Sequence, residues 1–195
     1  MDEIKEQKHE IRSDVAQRIQ SLSDEETARK NKTIENRLFG FANFLEATIS
    51  LLYMHQELEV NTRSIIERSL KHNKVVVLPA YHADHHRMTL YKIDDLKTDL
   101  VPGPRGVLEP NPDRCKIVPI DRIDIAIVPS VALDEKGGRI GSGTGYYDRF
   151  LPDLPITTRK VGLAYECQIV PQVPMEAHDR YIDILITEDR IIYKI

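Results

Sequence analysis

The chain has 195 residues and a formal net charge of −4 at pH 7, which gives no basis for general binding to nucleic acid or to an anionic membrane surface. Its 41% hydrophobic content is typical of a soluble protein, and its length suffices for a substantial core in one domain spanning residues 1–195. Neither a membrane span nor a signal peptide is recognisable, and Cys115 and Cys167 lack the spacing of a metal site, so we expect reduced thiols and a cytoplasmic location.

Residues 3–21 have the apolar periodicity of a helix. Apolar side chains recur at spacings that place them on one stripe: Ile4, Ile11, Val15, Ile19 and Leu22. Lys8 and Arg12 fall on this stripe rather than opposite it. Burying two cations without a partner is costly, so an anionic group should meet them. The alternative is that their stems lie along the core while their charged heads reach water.

A second helix is predicted from the capping box at residues 23–26, and its core face is Ile34, Leu38, Phe41 and Leu45. The apolar run 48–54 predicts a central strand, residues 61–72 a short helix, and residues 74–79 another buried strand. Ligands of α/β sheets bind beyond the carboxyl ends of such strands, where Met54 and Glu59 lie. Glu59 is either a ligand for substrate, a solvated loop acid or a cap for the helix after Asn61.

Residues 80–87 are predicted to form a loop, in which His82, Asp84 and His86 alternate. No distant Cys or His completes a zinc site, so a structural metal is not favoured. A strand is predicted at 87–93, and the Pro- and Gly-rich residues 94–119 predict an irregular segment over the site. Further strands are predicted at 123–128, at 160–165 and, as a pair, within 181–195. Strands that alternate with helices predict an α/β fold with a mostly parallel sheet.

The most informative stretch follows the turn at residues 134–138. Arg139 precedes glycines at alternate positions from 141 to 145, and a helical-looking segment begins at Tyr146. The glycines let a ligand reach backbone N–H groups, Arg139 offers a positive charge for phosphate, and Asp148 offers a hard oxygen for Mg²⁺. We interpret the stretch as a nucleotide-phosphate site. The alternative is an ordinary turn, since neither a P-loop nor a dinucleotide fingerprint is present.

Residues 139–151, with the strand before them, resemble the signature of the 5-formyltetrahydrofolate cyclo-ligase family. Matching segments follow the family's order over nearly the whole chain. They include Lys8-x-x-Ile11-Arg12, Glu59-Val60-Asn61-Thr62, Gly106-Val107-Leu108-Glu109-Pro110, Gly162-Leu163-Ala164-Tyr165-x-x-Gln168, Pro174-x-x-x-His178-Asp179 and Ile186-Thr187-Glu188. Ser142 and Thr144 stand where relatives often carry Arg, Tyr, Lys or Gly.

The resemblance implies a doubly wound sheet flanked by helices, similar to the NagB/RpiA/CoA-transferase fold. It also implies ATP-dependent closure of 5-formyltetrahydrofolate to 5,10-methenyltetrahydrofolate, with release of ADP and phosphate. ATP is then the co-substrate, Mg²⁺ the metal and a reduced folate the substrate. We expect a monomer that binds neither nucleic acid nor a membrane.

The resemblance further implies roles for particular residues. Lys8, Arg12 and Arg139 are expected to be catalytic. The ATP-binding set comprises Lys8, Arg12, Arg139, Ile140, Gly141, Ser142, Gly143, Thr144, Gly145, Tyr146 and Tyr147. Met54, Glu59, Tyr81 and Tyr146 are expected to contact substrate, and Asp148 and Asp179 to carry the metal. Core packing is the alternative role for either Tyr146 or Tyr147.

Two other functions remain compatible with such a fold, because a fold does not fix a function. A sugar-phosphate isomerase-like enzyme would bind phosphate without needing ATP. A non-catalytic folate- or nucleotide-binding module would bind without turnover, with Ser142 and Thr144 marking a decayed loop.

Overall fold

An eight-stranded sheet is the centre of the fold in the computed structural model, which describes residues 2–193. These residues contain twelve strands, eight of which form this sheet. The strands are β1 (Ile49–Leu51), β2 (Val75–His82), β3 (Arg87–Ile93), β4 (Leu100–Pro102), β5 (Leu108–Pro110), β6 (Lys116–Ile117), β7 (Ile125–Val128), β8 (Ala132–Leu133), β9 (Arg139–Ile140), β10 (Arg159–Leu163), β11 (Ile184–Ile186) and β12 (Ile191–Tyr193). The other four strands form two separate hairpins, in which β4 pairs with β5 and β8 pairs with β9. Strand order in the main sheet is β12-β11-β10-β7-β1-β2-β3-β6. The five strands from β11 to β2 are parallel, and antiparallel strands flank them. The predicted α/β class with a mostly parallel sheet is confirmed.

Five α-helices accompany the sheet: α1 (Asp2–Gln20), α2 (Asp24–Phe39), α3 (Ala42–Glu46), α4 (Arg63–Lys71) and α5 (Tyr146–Phe150). The predicted capping box is present, since Ser23 Oγ accepts from the Glu26 N–H and Glu26 Oε2 accepts from the Ser23 N–H. The prediction that Leu45 lies on the core face of α2 is wrong. The helix stops at Gly40, and Leu45 lies in α3 with 56% of its surface exposed.

Both faces of the sheet are covered. Val76 and Leu78 point into the core formed with α2, α3 and α4, whereas Val77 points into the opposite core, which includes Phe150 of α5. Because side chains alternate along a strand, a strand covered on both faces is apolar throughout. This explains the continuous apolar runs in the sequence and gives the doubly covered sheet that was expected.

β2 continues beyond the predicted end of its strand at Pro79. Residues Ala80, Tyr81 and His82 pair with β3, so the predicted loop is shorter than expected. Proline has no N–H to donate, but the pairing of β1 with β2 stops at Val77. The missing donor of Pro79 therefore costs no hydrogen bond to β1, and pairing with β3 holds the extended chain. Residues 94–119, predicted to be irregular, contain the short β4–β5 hairpin and β6.

A smaller core fixes α1 beside the β8–β9 hairpin. Val15 of α1 packs there with Val131, Ile140, Val170 and Val173. This contact brings the amino-terminal helix to the carboxyl end of β7. The order in which strands are added to the sheet reverses between the parallel strands β1 and β7: β2 and β3 follow on one side, and β10 and β11 follow on the other. In α/β sheets this is the position where a crevice for ligands forms. No helix among residues 2–193 is long and apolar enough to cross a membrane.

Candidate active site

A cavity of about 290 Å³ lies beyond the carboxyl ends of β1 and β7. It is lined by α1, by the glycine-rich loop, by the loop after β1 and by the segment before β11. Its lining residues are Lys5, Lys8, Arg12, Glu59, Arg105, Pro129, Arg139, Ile140, Gly141, Ser142, Gly143, Thr144, Gly145, Tyr146, Tyr147, Asp148, Glu176, His178 and Asp179. The cavity therefore combines five cationic side chains with exposed backbone of the glycine-rich loop.

Lys8 is the most deeply buried cation of α1, with 8% of its surface exposed. Its Nζ donates to Asp179 Oδ2 at 2.5 Å and to Glu176 Oε2 at 3.0 Å. Burial acts to lower the pKa of Lys8, but the hydrogen bonds and charges of Asp179 and Glu176 outweigh it, and the pKa is raised. The anionic partner expected for a buried lysine is thus present within the chain itself.

Arg12 and Arg139 approach the glycine-rich loop from two directions. Arg12 Nε donates to the Gly141 carbonyl at 2.9 Å, and the pKa of Arg12 is lowered by burial and by the positive charge of Arg139. Arg139 Nη1 donates to the Pro129 carbonyl at 3.1 Å, and its Nη2 donates to Asp148 Oδ1 at 2.6 Å. Two guanidinium groups therefore hold the loop against the ends of the strands.

Glycine is required in the loop for two reasons. A Cβ on Gly141 would lie 2.7 Å from Nη1 of Arg139, so any side chain there would displace the guanidinium. Gly143 has φ of +95°, a backbone conformation that other residues adopt only with strain. The alternating glycines seen in the sequence thus serve close approach of an arginine and a left-handed bend.

The wall opposite α1 is aromatic and carries the buried carboxylate of Glu59. The Tyr81 and Tyr146 rings meet edge to face at 5.0 Å, and the Tyr81 and Tyr147 hydroxyls lie 3.4 Å apart. Burial raises the pKa of Tyr81 to about 12. Glu59 is 7% exposed; its Oε2 accepts from the Gln56 N–H, and burial raises the pKa of its carboxyl group.

Most of the residues expected in the site come together in the cavity. Every residue of the expected ATP-binding set lines it, as do Glu59, Asp148 and Asp179. Met54 and Tyr81 do not line it. Met54 packs against the core between the sheet and α2–α4, and Tyr81 lies behind Tyr146. Glu59 does not cap α4, because the Asn61 side chain accepts from the Arg63 N–H instead.

Sequence reasoning assigned no role to four charged or titratable residues that line the cavity: Lys5, Arg105, Glu176 and His178. Lys5 precedes Lys8 by three positions, a spacing that places both on one helix face, so the pattern of α1 contained its signal. Arg105 and Glu176 carry no such signal, because loops distant in sequence bring them to the cavity.

Carboxylates that could hold a metal are among the residues that line the cavity. Asp148 and Asp179 each bind a cation of the protein through one oxygen, Arg139 and Lys8 respectively. Among residues 2–193, one group of three possible ligands has its donor atoms within 4.8 Å of one another: Glu176, His178 and Asp179. The oxygens of Asp148 and Asp179 that make no hydrogen bond to Arg139 or Lys8 suit Mg²⁺, which prefers oxygen ligands.

The fold and the cavity together define an α/β protein with a basic, glycine-lined anion pocket beside a buried carboxylate and an aromatic wall. The model of the 5-formyltetrahydrofolate cyclo-ligase family matches residues 4–188. The chain belongs to the 5-formyltetrahydrofolate cyclo-ligase family.

Relatives match along most of the chain. The 5-formyltetrahydrofolate cyclo-ligase of Escherichia coli K12 is 28% identical over 91% of this chain and 98% of its own. A probable 5-formyltetrahydrofolate cyclo-ligase of Caenorhabditis elegans is 29% identical over 98% of each. The solved structure of Aquifex aeolicus 5,10-methenyltetrahydrofolate synthetase matches with a TM-score of 0.84 and 30% identity, covering 96% of this chain and 92% of that one.

Proposed function

We propose that the chain closes 5-formyltetrahydrofolate to 5,10-methenyltetrahydrofolate at this cavity, with ATP converted to ADP and phosphate. The family uses ATP as co-substrate and performs this conversion. The observation that carries the proposal is one cavity with two unlike walls. Glycine backbone and cations suited to a triphosphate form one wall, and Glu59 with Tyr146 forms the other.

The chemistry requires ATP because the formyl oxygen is a poor leaving group. In the proposed reaction this oxygen attacks the γ-phosphorus, the bond from that phosphorus to the bridging oxygen breaks, and ADP leaves. N10 of the folate then attacks the activated formyl carbon and loses its proton, and the C–O bond breaks to release phosphate. Phosphoryl transfer of this kind depends on positioning and on offsetting negative charge.

The phosphate wall is formed by residues 139–145 and α1. We assign the triphosphate to the backbone of residues 141–145, with Arg139, Lys8 and Arg12 supplying positive charge. The support is geometric: both arginines already hold the loop by hydrogen bonds to its own backbone or to the adjoining Pro129 carbonyl. The ligand therefore meets a preorganised cation array and needs little ordering of side chains.

Asp148 and Asp179 would hold Mg²⁺ at this wall. Each carboxylate lines the cavity and keeps an oxygen free of the ion pair it makes with Arg139 or Lys8. A divalent ion that prefers oxygen ligands suits such donors, with phosphate oxygens completing its coordination. When bound, Mg²⁺ would offset charge on the phosphate oxygens.

The folate wall is assigned to Glu59, Tyr146, Tyr81 and Met54. Glu59 is close enough to the cavity to accept from a polar ring edge or to offset positive charge that develops at the activated formyl group. Tyr146 contributes its ring to the cavity surface, and Tyr81 packs edge to face against that ring. Met54 is assigned to this wall from the family resemblance and lies against the core on the α2–α4 side of the sheet. Tyr147 packs its ring against Phe150 and thus also serves the core.

The test is the formation of the methenyl chromophore, followed by absorbance after mixing the protein with Mg-ATP and 5-formyltetrahydrofolate. Single-turnover ATP hydrolysis in the same mixture should fall at least tenfold in Asp148→Asn and in Arg139→Ala. Wild-type rates in both variants would refute the assignment of the phosphate wall. An isomerase-like enzyme would show no folate-dependent ADP release, and a binding module would bind both ligands without product.

We also propose that residues 1–195 form one domain and that the protein is a monomer. Strands of the main sheet come from segments spread between β1 and β12, which supports a single folding unit. Light scattering of the purified protein, together with a single cooperative unfolding transition, would test both statements.

A further inference from the structure

Arg105 occupies the place where the two walls of the cavity meet. It lies in the hairpin between β4 and β5, and its guanidinium group is 4.1 Å from the centre of the Tyr81 ring and 5.4 Å from that of Tyr146. Its Nη2 also lies 3.5 Å from Ser142 Oγ on the glycine-rich loop. The Arg105 side chain thus contacts both the folate wall and the phosphate wall.

Gln56 holds both the backbone and the side chain of Arg105 in place by hydrogen bonds. Nη2 donates to Gln56 Oε1 at 3.0 Å, and Gln56 Nε2 donates to the Arg105 carbonyl at 3.4 Å. Gln56 belongs to the same segment as Glu59, whose Oε2 accepts from the Gln56 N–H. The β4–β5 hairpin is therefore bound directly to the segment that contributes Glu59 to the folate wall. The Arg105 guanidinium also stacks on the face of Tyr81, a geometry that arginine favours.

In the part of the chain that the structure describes, Arg105 makes no ion pair at contact distance, unlike two other cations of the cavity. Lys8 is paired with Asp179 and Glu176, and Arg139 is paired with Asp148. Within residues 2–193, no ion pair includes Arg105, and its hydrogen bonds and stacking contacts go to neutral groups. At longer range its positive charge acts to lower the pKa of the buried carboxyl groups of Glu59 and Glu109. Of the cations that line the cavity, Arg105 is the one placed on the aromatic side.

We propose that Arg105 is a catalytic residue that donates to the phosphoryl group during its passage from ATP to the formyl oxygen. The inference rests on the proposed function, because it places that transfer between the walls that Arg105 joins. During transfer the bond from the γ-phosphorus to the ADP oxygen breaks while the bond to the formyl oxygen forms, and negative charge spreads over the three remaining oxygens. The same guanidinium then stabilises the phosphate that leaves when N10 closes the ring.

The experiment compares Arg105→Ala and Arg105→Gln with wild type in single-turnover assays at saturating ATP and folate. A donor aimed at charge that develops only in the transition state contributes about 10²–10³-fold to the rate. We expect kcat to fall by about that factor, while equilibrium binding of ATP and of 5-formyltetrahydrofolate changes by less than about threefold. Guanidinium ion in millimolar amounts should restore at least tenfold of the lost rate to Arg105→Ala.

Two comparisons separate this role from a structural one. Arg105→Lys keeps the charge and should retain more activity than Arg105→Gln, an order that packing alone would not give. Arg122→Gln is the matched control, because Arg122 is exposed and does not line the cavity, and it should behave as wild type. Circular dichroism of each variant checks that it folds.

Two results would overturn the role of Arg105. One is a kcat within threefold of wild type in both variants. The other is a loss confined to folate affinity, with no rescue by guanidinium, which would make Arg105 a substrate clamp. Failure of the proposed function is recognised separately, because wild type would then give no methenyl product.

Discussion

Arg139 and Asp148, which lie on either side of the glycine-rich loop, are joined by a hydrogen bond of 2.6 Å from Nη2 to Oδ1. The Arg139 side chain is 3% exposed, and that of Asp148 is 25% exposed. The ion pair holds the two ends of the loop formed by residues 140–147 together. The residue assigned to phosphate and the residue assigned to Mg²⁺ therefore also shape the loop that lies between them.

Removing the carboxylate should cost stability as well as activity. Asp148→Asn leaves the buried guanidinium of Arg139 without an anionic partner, which is unfavourable in a poorly solvated position. We expect the free energy of unfolding to fall by about 2 kcal/mol, measured by urea denaturation at pH 7. The control is Glu67→Gln, which breaks the exposed Arg63–Glu67 pair and should cost less than about 1 kcal/mol. Equal losses in both variants would contradict the structural role of the pair.

The contribution of Asp179 to stability should depend on pH in one direction. Burial acts to raise the pKa of Asp179, but the Glu176 N–H and Lys8 outweigh it, and the pKa lies below the ordinary 3.8. The stabilisation is therefore present above pH 3.8 and is lost as pH falls through the folded-state pKa. At the alkaline end it persists until pH rises through the pKa of Lys8, which lies above 10.5.

We expect Asp179→Asn to be less stable than wild type by about 2 kcal/mol at pH 8. The difference should shrink below pH 4. Urea denaturation of both proteins from pH 8 to below pH 4 measures it. A gap that widens in acid would show that the pKa of Asp179 is raised instead.

The sequence predicted what depends on local periodicity. The stripe on α1 placed Lys8 and Arg12 facing inward, and the structure has Lys8 buried and Arg12 partly buried. The capping box at Ser23 is likewise a contact within one turn. Such features follow from residues three or four positions apart, so the sequence carries them without knowledge of the fold.

Features set by distant pairing could not be predicted in the same way. The extension of β2 past Pro79 depends on β3 lying beside it, and the exposure of Leu45 depends on where α3 docks. Arg105 reaches the cavity because Gln56 binds its hairpin, a contact across 49 positions in the chain. Amino-acid composition around Arg105 predicts an irregular segment over the site but does not single out Arg105, so its place in the cavity could be recognised only once the fold was known.

Glu59 should trade stability for function. Burial raises the pKa of its carboxyl group above the ordinary 4.5, so the ionised form costs folding free energy at neutral pH. Wild type should lose stability as pH rises from 4.5 through the folded-state pKa, and each tenfold difference between the folded and unfolded acid dissociation constants corresponds to about 1.4 kcal/mol. Glu59→Gln escapes this cost because its amide oxygen can still accept from the Gln56 N–H.

We therefore expect Glu59→Gln to match wild type in stability below pH 4.5 and to exceed it at pH 8, while methenyl formation falls at least tenfold. Thermal unfolding at several pH values and the chromophore assay are the measurements. Glu57→Gln, at an exposed neighbouring position, is the control and should change neither quantity. If Glu59→Gln were less stable at pH 8, the carboxylate would have to be stabilised by a partner.

The Arg139 guanidinium group lies directly against the backbone of Gly141. Substitution of Gly141 should therefore change the geometry of the loop rather than the overall stability of the protein. In Gly141→Ala the new Cβ would lie 2.7 Å from Arg139 Nη1, so the guanidinium must move away from the Pro129 carbonyl and Asp148. Gly40→Ala is the matched control, because its Cβ would meet only carbonyl oxygens at 3.5 Å or more and its φ is −95°. We expect Gly141→Ala to bind ATP at least tenfold more weakly, measured by calorimetry, with Gly40→Ala unchanged. If both alanine variants bound ATP like wild type, the position of Arg139 would not matter for the nucleotide, and the phosphate wall would have to be reassigned to α1.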